Sequence, residues 1–168
     1  MIQRKGLDLL FDALSKMRKD FFLVIIGQGD EKEPLVQRAK KLGILDRIEF
    51  KGYIEGEELR QLYHESDLFV LPTREDCFAL VILEAMCAAL PVVVSKYADA
   101  VDDLIIDGVN GIIIDPYDAK SFADTLDGII GDTKLKFNMG QRAQEMSLNF
   151  SFNRVSEGFI AAIMYALK

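Results

Sequence analysis

The stretch Leu68-Phe69-Val70-Leu71-Pro72-Thr73-Arg74-Glu75-Asp76-Cys77-Phe78-Ala79-Leu80-Val81-Ile82-Leu83-Glu84-Ala85-Met86-Cys87-Ala88-Ala89-Leu90-Pro91-Val92-Val93-Val94 reads as strand, loop, helix and strand in one continuous unit. Its two ends are short, wholly apolar runs, the composition of parallel strands covered on both faces. Between them, every residue from Phe78 to Leu90 is apolar except Glu84. A helix apolar on all sides is expected to be buried.

Outward from this unit the alternation repeats. Phe22–Ile26, Ile48–Phe50 and Ile112–Ile114 are further strand candidates. Stripes of helical period lie between them: Leu7, Leu10, Phe11 and Leu14; Leu35 to Leu42; Leu59, Leu62 and Tyr63 after Gly56; and Phe122 to Ile130. After Gly131-Asp132 the pattern is wholly helical and ends in an amphipathic helix marked by Phe152, Val155, Phe159, Ile160, Ile163 and Leu167. The expected fold is α/β, a Rossmann-like doubly wound parallel sheet with helices on both faces. It is read as one domain over residues 1–168, with C-terminal helices from about 132 to 167. The chain enters a helix at about Gly6 with no strand before it. The first strand of such a sheet is therefore missing, and a sixth strand upstream in a longer parent protein is favoured over a complete sheet of five.

The 168 residues are half hydrophobic and 28% charged, which excludes disorder. Twenty Lys+Arg against 27 Asp+Glu leave a net charge of −7, so no nucleic-acid partner is expected. A small anion held by one lysine and a helix start remains compatible. Cys77, Cys87 and His64 have no metal-ligand spacing, and two thiols in an acidic chain point to a reducing cytoplasm. No signal peptide opens the chain, and the apolar window Phe78–Val94, broken by Glu84 and Pro91, is too short to span a bilayer. Adjacent carboxylates at Asp102-Asp103 read as a surface helix start rather than a metal site. Met139, Met146 and Met164 read as packing fillers, and Phe150 and Phe152 as core or interdomain anchors.

Chemistry concentrates between Pro72 and Pro91. An ionised carboxylate in an apolar helix needs hydrogen bonds, so Glu84 should face a cleft, a structural donor or ligand hydroxyls, unless it is a satisfied core charge. Asp76 precedes the helix and is either its cap or a site residue. Gly27-Gln28-Gly29-Asp30 and Tyr97-Ala98-Asp99-Ala100 each follow a strand's carboxyl end, where open α/β sheets bind ligands.

Asp76, seven residues and then Glu84, within Cys77-Phe78-Ala79-Leu80-Val81-Ile82-Leu83-Glu84-Ala85-Met86, resembles the donor-binding motif of retaining glycosyltransferases of the two-domain GT-B fold, group 1 or family 4. Leu90-Pro91-Val92-Val93-Val94-Ser95 resembles that family's next strand, and Ile106-Asp107-Gly108-Val109-Asn110-Gly111 its following turn. Arg4-Lys5-Gly6 resembles its lysine-glycine pair, and Gly27-Gln28-Gly29 and Phe50-Lys51-Gly52 two further strand ends. The resemblance implies that Lys5 neutralises a donor diphosphate, that Asp76 holds hydroxyls of the transferred sugar, and that Glu84 grips the ribose. It further implies a diphosphate cradle from the N–H groups of Phe78, Ala79 and Leu80, with Arg4, Gly27 and Gly29 beside the donor and no metal or other cofactor. Departures are Asp76 for the usual Glu, unless Glu75 is used in a shifted register, Ala79, Ala89, Asp99 and Ala100 for glycines, and Asp103 for Glu. The arginine that accompanies Lys5 is absent with the missing strand; Arg4 is adjacent but not equivalent.

The function implied is the donor-binding half of an enzyme that transfers a hexosyl group from UDP- or GDP-sugar to an acceptor hydroxyl, for polysaccharide or glycolipid synthesis. Its partners would be the nucleotide sugar and an N-terminal acceptor-binding domain, without which this half should be inactive. Its location would be cytoplasmic, with peripheral contact at the inner face of a membrane through the parent protein. The rival reading is a non-catalytic binding or scaffold module that has lost its donor site. Nucleotide-sugar epimerases of the same architecture fit the segment Thr73–Pro91 less well.

Overall fold

A computed structural model of the chain describes residues 2–167. The apolar runs form strands β1 (Leu23–Ile26), β2 (Ile48–Gly52), β3 (Phe69–Leu71), β4 (Val92–Ser95) and β5 (Gly111–Ile114). All pairings are parallel: β1 with β2, β3 with β4, and β4 with β5. The ladders are β1-β2 and β3-β4-β5, each parallel throughout, as in a doubly wound α/β fold. Among the described residues no ladder joins β1 to β3, so the sheet is two ladders rather than one. Leu23, Val24, Phe69 and Val70 are half-buried, as are Ile112 and Ile113 of β5, whereas all of β4 is buried.

Eight α-helices lie among the described residues: α1 (Leu7–Leu14), α2 (Lys32–Leu42), α3 (Gly56–Glu65), α4 (Val81–Cys87), α5 (Val101–Leu104), α6 (Ala119–Gly131), α7 (Thr133–Ser147) and α8 (Phe152–Ala166). Side chains alternate across a strand, and β4 shows the result. Val93 joins one core cluster with Leu10, Phe11, Ile25, Phe122 and Leu126, while Val92 and Val94 join another with Ile82, Met86 and Leu104. Helices therefore cover both faces. Asp118 and Asp132 cap α6 and α7 by accepting from the N–H groups of Ser121 and Leu135. Asp127, nearly buried on α6, accepts from the N–H groups of Arg18 and Lys19 and ties down the loop after α1. Burial alone would raise its carboxyl's pKa, but those N–H groups and the Arg18 guanidinium hold it below the ordinary value.

Helix α4 is shorter than the apolar run from Phe78 to Leu90. Ala79 and Ala89 adopt left-handed backbone conformations, with φ of 51° and 58°, and bound it on either side. At its far end, Gly140 of α7 approaches so closely that a Cβ there would lie 2.0 Å from the Ala89 carbonyl oxygen. Alanine in this conformation costs about 1–2 kcal/mol, against which glycine's extra unfolded-state entropy of about 0.4–1 kcal/mol must be set. Ala89→Gly is expected to raise stability by about 0.5–1 kcal/mol, read as a higher urea midpoint with unchanged slope.

The C-terminal helix departs further from expectation. No residue of α8 is buried; Met164 is exposed and is not the packing filler expected, and Phe152, read as a core or interdomain anchor, is exposed and not in the core. An amphipathic stripe shows which face would pack, but not that a surface is present to receive it. Met139 is buried, and Met146 and Phe150 pack against the second cluster. Among the described residues no helix is long and apolar enough to cross a membrane.

Candidate functional site

Because the strands are parallel, the loops after β1, β3, β4 and β5 leave from one rim of the fold. Helix α1 runs back antiparallel to the strands and presents its N-terminus at that rim. The segment before α1 is held there by the loop after β3. Arg4 accepts at its carbonyl from the Arg74 N–H at 2.8 Å and from the Thr73 hydroxyl at 3.0 Å. The guanidinium of Arg74 donates twice to Asp8, at 2.8 and 2.7 Å, and once to the Gln3 carbonyl. Burial would lift the Asp8 carboxyl, but Arg74 holds it below its ordinary pKa. Gly6 closes the junction at φ 66°, with its α-carbon against the Pro72 backbone.

This clamp brings Lys5 onto Asp76, and the ammonium and carboxylate form an ion pair across 71 residues of sequence. Asp76 is not the cap of α4. The residue before that helix is Leu80, with no side-chain cap, and the Asp76 carboxylate is turned instead toward the cation. The backbone of Asp76 also bridges the loop after β4: its N–H donates to the Tyr97 carbonyl and its carbonyl accepts from Asp99. Beyond that bridge, Lys96 pairs with Asp115 at 2.8 Å, and the Tyr97 and Tyr117 rings meet edge to face.

Glu84 corrects the burial argument. It is exposed, as are Phe78 and Leu80. The reason is geometric: a seven-residue helix buries one face, here Ile82, Ala85 and Met86, and Glu84 lies off that face despite apolar neighbours in sequence. Its carboxylate accepts at Oε2 from the Tyr63 hydroxyl of α3 at 3.0 Å. Glu84 stands in the first turn of α4, and no direct contact joins it to the Lys5–Asp76 pair. Gly27 donates its N–H to the Gly52 carbonyl at 2.6 Å, tying the loop after β1 to the end of β2, and Gly29 opens the turn into α2.

Chemically, the rim offers an ammonium matched to an anion, a carboxylate beside it matched to hydroxyl donors, and a second, solvent-facing carboxylate one turn into α4. Arg74, Asp8, Thr73 and Tyr63 escaped the reading of the sequence. An acidic residue in the first turn of α1 was the available hint for Asp8. Tyr63 was legible only as part of an apolar stripe. His64, Asp102 and Asp103 are exposed and lie in none of these contacts, and no three His, Cys, Asp or Glu side chains gather as metal ligands among the described residues.

A doubly wound α/β domain whose charged residues gather beyond the carboxyl ends of its strands belongs to the ligand-binding class of such folds. Residues 1–146 match the family of glycosyl transferases group 1, and the chain belongs to that family. It is 33% identical over 135 residues to a D-inositol 3-phosphate glycosyltransferase of Salinispora arenicola, covering 80% of this chain and 30% of that protein. Its fold is that of a GT-B Rossmann-like domain. HepE of Anabaena, solved in complex with UDP and glucose, superposes with a TM-score of 0.85 at 26% identity, over 100% of this chain and 46% of that one. The C-terminal domain of the group 1 protein LpcC from Francisella tularensis superposes with a TM-score of 0.78 at 28% identity, over 89% of this chain and 80% of that one. The chain thus spans less than half of the full-length relatives compared.

Proposed function

We propose that this chain is the donor-binding part of a retaining glycosyltransferase that moves a hexosyl group from UDP- or GDP-sugar to an acceptor hydroxyl. The observation that carries the reading is the Lys5–Asp76 pair, which joins a cation and a sugar-type acceptor at one point on the rim. Lys5 would leave Asp76 for the donor's diphosphate, supplying the positive charge without a metal, with the N–H groups of Phe78, Ala79 and Leu80 beside it. Asp76 would then accept from the transferred sugar and Glu84 from the ribose. Arg4, Gly27 and Gly29 shape the surrounding loops. The UDP and glucose bound by HepE support a nucleotide-sugar donor. Acceptor recognition would belong to an N-terminal partner domain, without which this part transfers nothing. A cytoplasmic site at the inner face of a membrane would suit lipid acceptors.

The scaffold reading draws on the replaced glycines. Ala79 and Ala89 nevertheless keep the left-handed conformation that glycine adopts most readily, which favours a retained loop shape. Calorimetric titration with UDP and GDP distinguishes the two. One nucleotide should bind, and Glu84→Ala should weaken it about tenfold as the ribose hydroxyls lose their acceptor. A folded chain that binds neither nucleotide would leave the scaffold reading in possession.

A further inference from the structure

We infer that Tyr63 is a positioning residue for Glu84, fixing its carboxylate so that Oε1 faces the two ribose hydroxyls of a bound nucleotide; this rests on the ribose-binding role proposed for Glu84. An exposed glutamate on a helix samples many rotamers, and a ligand that needs one of them must first pay for its ordering. Here one oxygen is already held, by a hydroxyl 3.0 Å away on a neighbouring helix. The holder is itself rigid. Tyr63 is half-buried and packs against the second core cluster, with its ring 6.1 Å from that of Phe69. Burial, and then the adjacent Glu84 charge, push the Tyr63 phenol well above its ordinary pKa, so the proton needed for this bond stays in place at any working pH. Oε2 is thereby engaged, and Oε1 keeps two lone pairs, enough for a pair of vicinal hydroxyls.

The test compares binding of UDP with that of 2′,3′-dideoxyuridine 5′-diphosphate, which lacks those hydroxyls, to the whole chain and to Tyr63→Phe. The unaltered chain should prefer UDP. Tyr63→Phe should shrink that preference about fivefold while leaving the dideoxy affinity unchanged, and in a Glu84→Ala background it should change nothing further. Equal weakening of both ligands, or no weakening of either in a chain that does prefer UDP, would reduce Tyr63 to a packing residue and leave the site reading intact. If the unaltered chain does not distinguish the two ligands, the ribose role of Glu84 fails and this inference falls with it. Thermal unfolding of each variant separates a lost fold from a lost preference.

Discussion

Gly6→Ala is expected to cost about 3 kcal/mol or more of stability, the sum of a strained conformation and a steric overlap. The added Cβ would stand 2.0 Å from the Pro72 carbonyl oxygen, in a backbone at φ 66° that side-chain-bearing residues rarely adopt. Relief would require separating the start of α1 from the loop after β3, where Arg4, Thr73, Arg74 and Asp8 are joined by hydrogen bonds. Gly108→Ala is the matched control, since Gly108 has φ 76° but nothing within 4 Å of its would-be Cβ. That variant should lose only the conformational part, about 1–2 kcal/mol. Urea unfolding measures both, and equal losses would mean that the junction at Pro72 yields without resistance.

The second large effect should appear as opposite signs at the two ends of one ion pair. Lys5→Ala is expected to weaken UDP binding by about 2 kcal/mol, a factor of roughly thirty, through loss of a charge-assisted contact to the diphosphate. Uridine, which has no phosphate, should bind the variant as it binds the parent. Asp76→Asn should instead strengthen UDP binding by about three- to tenfold, because it frees Lys5 and removes a negative charge beside the arriving anion. The Asp76 side chain is only 9% exposed, so bulk screening does little to blunt that charge. Isothermal titration of UDP with the parent and both variants, and of uridine with the parent and Lys5→Ala, decides the matter. Should Asp76→Asn weaken UDP as Lys5→Ala does, the carboxylate would be part of the anion's own support rather than its competitor.

The strands were legible because β-branched runs bounded by turn residues leave little else to choose. Val92–Ser95 and Leu23–Ile26 fall within one residue of the runs that announced them. The extent of α4 was not legible, since an unbroken apolar run carries no phase: nothing in the residues from Phe78 to Leu90 says that Ile82, Ala85 and Met86 are covered while Phe78 and Leu80 face water. Glu84 was singled out for the right oddity and the wrong environment. The meeting of Lys5 with Asp76 was implied only through family resemblance, because no periodicity links residues 71 apart. Arg74 with Asp8, and Tyr63 with Glu84, join different elements, and such contacts depend on how helices settle around the sheet. The C-terminal stripe was read correctly as amphipathic, yet whether a partner surface exists for it is not a property of the stripe.

The break between β1 and β3 has a mechanical meaning. Hydrogen-bonded ladders resist sliding because displacement along a strand breaks directional bonds, whereas apolar contacts exchange neighbours at little cost. Across the break, Ile25 and Ile48 on one side share a core cluster with Val93 and Ile114 on the other, and the hydrogen bonds of Asp127 to the loop before β1 and of Arg4 to the loop after β3 add to that packing. Packing and a few hydrogen bonds, rather than one continuous ladder, therefore hold the block carrying the Gly27–Asp30 loop against the block carrying Asp76 and Glu84.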